Sequence, residues 1–174
     1  MATCMSFTIQ TAKELGARSW QVGVTSIVYI VLAVCFSYLS SRKLFVQIGH
    51  RRIVPAGLLL QALYCVLVPN AGSVYQIYLC QILAAAAMGF LFTSLTSESV
   101  RGIPLRFYST AMGIFQAVYA IGMTLFPIIA GKIRGYEGNA AAYYFMACCL
   151  VLGFVASLVF YLHTEKRSEY EICG

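Results

Sequence analysis

Ile53 to Ser97 reads IVPAGLLLQALYCVLVPNAGSVYQIYLCQILAAAAMGFLFTSLTS, forty-five residues without one charged side chain. As a single helix it would reach roughly 68 Å at 1.5 Å per residue. A bilayer hydrocarbon core is only about 30 Å thick, so the run must fold back on itself. Pro69-Asn70-Ala71-Gly72-Ser73 marks the reversal, because Pro and Gly punctuate a helix and Asn and Ser favour a turn. Two membrane-spanning helices joined by a tight turn follow.

Working outward, three more uncharged runs appear. The predicted spans are about Ser19–Ser41, Ile53–Val68, Val74–Ser97, Phe107–Gly131 and a stretch within Gly138–Leu162. Each approaches or exceeds the ~20 residues a bilayer needs, the surplus allowing tilt. The ~10-residue alternating strands of a membrane barrel are absent. The expected fold is an all-α membrane protein with five transmembrane helices. Residues 1–18 are expected to form an N-terminal segment, the remnant of a preceding helix or loop, 19–163 the five-helix membrane domain and 164–174 a cytoplasmic tail.

Composition excludes most alternatives. Of 174 residues 60% are hydrophobic and 10% charged, against about 25% charged in an average globular domain. The net charge of +6 does not mark a nucleic-acid surface, since the basic residues sit in the breaks between apolar runs without interleaved aromatics. There is no Asp, and His50 and His163 lie at helix ends. The seven cysteines form no C-x-x-C pair, so neither a metal site nor a disulfide framework is expected. No cofactor is implied. Hydrolytic chemistry lacks its buried acid or His, so no enzyme is expected. Lys13, Glu14 and Arg18 interrupt the first residues, unlike a signal peptide.

Lys and Arg counts set the expected orientation. Arg42, Lys43, Arg51, Arg52, Arg101, Arg106, Lys166 and Arg167 fall on one side, eight in all. Lys13, Arg18, Lys132 and Arg134 fall on the other, four. The C-terminus is then cytoplasmic and the N-terminus outside a cell membrane. Small residues suggest close helix contacts: Ala84 to Ala87 with Gly89 on the third span, and Gly113, Ala117, Ala120, Gly122 and Ala130 on the fourth.

Three segments carry a family resemblance. Arg42-Lys-Leu-Phe-Val-Gln-Ile-Gly49-His50-Arg51-Arg52 looks like the basic loop G-x-L-x-D-R-x-G-R-R, with Leu44, Gly49 and Arg51 on matching positions. The Asp position holds Val46, and His50 replaces an Arg. Glu98-Ser-Val-Arg101-Gly-Ile-Pro104-Leu-Arg106 looks like a later cytoplasmic link. Ala111 to Gly131 resembles the eleventh helix of bacterial facilitators, with Gly122, Pro127 and Gly131 at hinge-like positions. Together, Arg18 to Lys166 resembles the C-terminal half of a major facilitator superfamily (MFS) transporter, its helices eight to twelve. Pro127 removes a backbone donor and predicts a kink.

The resemblance implies a central cavity lined by the family's eighth, tenth and eleventh helices. Cavity candidates are Gln81, Gln116, Tyr119, Tyr29 and Thr25, neutral groups that hydrocarbon penalises when bare. Gln116 and Tyr119 lie three apart and share a helix face; Gln81 is expected beside them at a similar depth. Loop and gating candidates are Arg42, Gly49, Arg51, Arg52, Glu98, Arg101 and Arg106, with Glu98 able to pair with Arg101 or Arg106. The expected function is transport of a small-molecule substrate by alternating access. The expected partners are the lipid bilayer and a missing N-terminal half or second copy. Alternatives are an inert truncated fragment, or a small membrane subunit that must oligomerise.

Overall fold

The reversal at Pro69 folds the uncharged run into a hairpin. The computed structural model describes residues 2–40 and 50–173, with side chains for 7–40 and 52–161. Its helices are α1 (Ala2–Glu14), α2 (Ser19–Ser40), α3 (His50–Leu67), α4 (Val74–Ser99), α5 (Tyr108–Glu137) and α6 (Asn139–Cys173), with 3-10 turns at Val68–Asn70 and Leu105–Phe107. Among the described residues, five helical segments are long and apolar enough to cross a membrane: Ser19–Ser40, Arg52–Asn70, Val74–Ser99, Leu105–Glu137 and Asn139–Tyr161. The expected all-α membrane fold is thus present.

The turn is built from its own side chains. Asn70 Nδ2 donates to the Val66 carbonyl at 2.8 Å, satisfying an acceptor left open at the end of α3. Ser73 caps α4, its Oγ accepting from the Tyr75 amide at 3.4 Å. Gln76 Oε1 reaches back to the Gly72 amide at 2.8 Å, close to the reciprocal arrangement of a capping box. Gln76 is therefore occupied as a cap.

Residues 2–14 of the N-terminal segment are helical. Two boundaries differ from expectation. The fourth span continues past Gly131 to Glu137, absorbing the supposed link of Lys132, Arg134 and Glu137 into its last two turns. Long charged side chains can extend beyond the apolar layer while their backbone stays helical. Gly138, at φ +91°, ends α5 in a conformation costly for any residue with a Cβ. The fifth helix likewise runs on to Cys173, so the region assigned to a tail is helical through that residue.

Packing is uneven. α4 runs against α2 on one side and α3 on the other, and α3 packs against α6. α5 rests mainly on α6, with brief contacts to α1 and α4. The α2–α4 crossing is tight. A Cβ on Gly89 would lie 2.7 Å from the Ser37 amide nitrogen, 2.8 Å from Phe36 Cβ and 2.9 Å from the Ala33 carbonyl. Close approach of this kind lets dispersion and polar contacts hold membrane helices together. Ser37 and Thr93 hydrogen-bond across the same crossing at 2.7 Å. The core joins Phe7 of α1, Tyr64 and Cys65 of α3, Cys80 and Ala84 of α4, and Tyr143, Met146 and Ala147 of α6.

Candidate functional site

Thr25 and Gln81 lie level on neighbouring helices, with Tyr29 one turn on from Thr25. Tyr78 Oη donates to the Gln21 carbonyl, 57 residues away, and Ser37 meets Thr93, 56 away. α2 and α4 therefore run parallel with a constant offset, and 25 + 56 = 81 sets Thr25 level with Gln81. Thr25 is buried, its Oγ1 bonded to the Gln21 carbonyl at 2.8 Å. Tyr29, one turn on, is half-buried against the core. Gln81 is fully buried, and neither Oε1 nor Nε2 has a hydrogen-bond partner. An amide so placed in hydrocarbon costs several kcal/mol per bare group.

Gln116 and Tyr119 are elsewhere. α4 and α5 are antiparallel, meeting at Phe92–Tyr119 and Ser99–Met112; both pairs sum to 211. Gln116 is thus level with Leu95, fourteen residues or about 21 Å along α4 from Gln81. The expectation of one shared depth fails because the two glutamines lie near the starts of antiparallel helices, at opposite membrane faces. Gln116 is also exposed, while Tyr119 is half-buried. The Tyr119 ring stacks nearly parallel to Phe115 (14°, centroids 6.4 Å) and meets Phe92 edge-on (6.0 Å).

Among the gating residues, Arg42 and Gly49 lie outside the described residues, and Arg51 starts α3 with its side chain outside them. Arg52 is exposed. Glu98 pairs with Arg101 at 3.4 Å within its own helix end, with the Arg101 side chain 71% exposed. Arg106 instead lies over the Phe107 ring at 4.3 Å. Of the hinge residues, Gly122 and Gly131 have open space where a Cβ would stand, and α5 passes through Pro127 as one helix.

A polar cluster outside every candidate named above ties α1 to the bundle. Thr8 Oγ1 bonds Tyr64 Oη of α3 and, at 3.0 Å, Tyr143 Oη of α6. Asn139 Nδ2 donates to Thr11 Oγ1 at 2.7 Å. Arg134 Nη2 donates to Glu14 Oε1 at 2.7 Å and lies 5.5 Å from the Phe7 ring centroid. A threonine pointing inward from a short helix is the one local signal. Its partners are 56 and 135 residues distant.

The candidate residues within the spans are neutral donors, acceptors and rings. No group of three or more His, Cys, Asp or Glu able to hold a metal occurs among the described residues. The Major Facilitator Superfamily model matches residues 2–172. The chain belongs to that superfamily of membrane transporters, and it is a multi-pass membrane protein of major facilitator type. Comparison with curated proteins and with solved structures finds no match.

Proposed function

We propose that this chain forms one wall of an alternating-access carrier for a small solute, corresponding to the C-terminal half of a major facilitator. One observation carries the reading. The bundle is built one-sidedly: half or more of the most apolar stretch of α3 and of α4 is buried, against 17% for α6, 6% for α2 and none for α5. α2 and α5 thus present uncovered faces together with the neutral candidates Tyr119 and Gln116. A carrier cavity between two halves that rock against one another needs such a face. Its complement is a further half or a second copy. The positive side of the bundle is assigned to the cytoplasm, with the N-terminus outside a cell membrane.

Reconstituting the 174 residues alone in liposomes tests this, with labelled sugars, drugs and amino acids under an imposed proton gradient. No saturable uptake is expected. Saturable uptake abolished by Gln116→Ala would replace the half-carrier by a self-assembling small transporter. Orientation is read from Cys173 in a variant lacking the other six cysteines. Labelling by an impermeant maleimide from outside intact cells would reverse it.

A further inference from the structure

We infer that Phe115, Tyr119 and Phe92 form an aromatic shelf that selects neutral solutes with a flat ring, and that Gln116 supplies the hydrogen bonds beside it; this rests on the carrier reading above. Phe115 and Tyr119 lie one turn apart on α5 with nearly parallel planes, and Phe92 of α4 closes the edge. All three rings are only half-buried, and Gln116 next to Phe115 is exposed. Aromatic faces attract flat rings in offset or edge-on contact, worth about 0.5–1.5 kcal/mol beyond area burial. The Gln116 amide offers both a donor and an acceptor.

Charge decides the class further. The five apolar runs contain no Asp, Glu, Lys, Arg or His. Glu98, three residues beyond the level of Gln116 on α4, is already paired with Arg101, so an ion on the shelf would give up hydration without a free counter-charge from these spans. Cation–π attraction to Tyr or Phe returns about 2 kcal/mol even when desolvated. A neutral ring carrying hydroxyl or amide groups meets no such penalty. The solute class is therefore an uncharged aryl-bearing compound such as an aryl glycoside.

The test is photolabelling of the full chain in lipid nanodiscs with 4-azidophenyl β-D-glucoside, mapped by mass spectrometry. The peptides bearing Phe92, Phe115 and Tyr119 should label at least about fivefold above those bearing exposed Leu152 and Val159 of α6. This excess corresponds to about 1 kcal/mol. Neutral 4-nitrophenyl β-D-glucoside should compete; 4-nitrophenyl phosphate, N-methylquinolinium and methyl β-D-glucoside should not. Tyr119→Ala should remove the excess and Tyr119→Phe should keep it, which separates ring loss from misfolding. Labelling no stronger than on α6, or better competition by either ion, overturns the inference. If the shelf fails while the chain alone still shows no uptake, only the solute class falls. Saturable uptake by the chain alone would instead remove the carrier reading beneath it.

Discussion

α4 and α5 are both long, apolar and uncharged through the hydrocarbon, yet more than half of the best α4 window is buried and none of the α5 window is. Hydropathy decides that each crosses the membrane and says nothing about what each touches. Both carry small residues. On α4, Ala84, Ala85, Ala87 and Gly89 are all buried, and Gly89 lies against the backbone of α2. On α5, Gly113 and Gly122 meet nothing within 4 Å, Ala117 and Ala120 are exposed, and only Ala130 is buried. The expectation that this α5 series forms a packing surface is corrected accordingly. Small residues permit close approach; a partner helix must be there to use it.

Paired glycine substitutions break or confirm that contrast with the largest effect. Gly89→Leu forces a side chain onto Ser37 nitrogen and the Ala33 carbonyl, backbone atoms that cannot rotate away. A loss of about 3 kcal/mol or more is expected, the upper end for overpacking. Gly113→Leu on α5 has open space and gains helix propensity, so its stability should stay within about 1 kcal/mol of wild type. Thermal unfolding in detergent measures both. Equal losses would mean that α5 is packed after all.

The next effect has the opposite sign. Gln81 is enclosed with both amide atoms unpaired, and replacing a buried unsatisfied polar group by an apolar one of similar shape is neutral to stabilising. Gln81→Leu should raise stability by about 1–3 kcal/mol, the desolvation cost of the stranded group. Gln116→Leu, exposed on α5, should leave it unchanged. A fall on Gln81→Leu would show that the amide is satisfied by a bound water or solute.

These residues also show where sequence reading stops. The spans were legible because charge is absent from them and present between them, and the Pro69 turn because its residues favour it locally. Inward orientation of Thr25 and Gln81 followed from the cost of bare polar groups in lipid. Depth did not follow, since antiparallel helices place equal distances from their starts at opposite faces. The extension of α5 through Lys132 and Arg134 was hidden because charge normally signals an end. The Thr8–Tyr64–Tyr143 cluster joins three helices, and no local pattern encodes which hydroxyls meet.

That cluster gives a smaller test. Tyr64→Phe removes one buried phenol oxygen and with it the bond to Thr8. A loss of about 1–1.5 kcal/mol is expected, the net worth of an ordinary hydrogen bond. Thr8→Val should cost at least as much, because it removes the bonds to both phenols. In the double variant the costs should not add, since the residues share one network. Additive losses would mean that the two hydroxyls act independently.

The Glu14–Arg134 pair should matter least, and its salt dependence makes it informative. The N–O distance is short at 2.7 Å, but the Glu14 side chain is 55% exposed and that of Arg134 23%. Exposed ion pairs are worth about 0–1 kcal/mol because water and salt screen them. Glu14→Gln keeps the shape and removes the charge, so a loss below about 1 kcal/mol is expected, shrinking as salt rises from 0.01 to 1 M with a Debye length falling from about 30 to 3 Å. Arg134→Ala should cost more than Glu14→Gln, because it also removes the contact with the Phe7 ring, which salt screens less than an exposed pair. A salt-independent loss for Glu14→Gln above about 2 kcal/mol would show that the carboxylate is shielded from water. The α1 end would then be as firmly held as the α2–α4 crossing, and the contrast between a tight core and a lightly held periphery would give way there first.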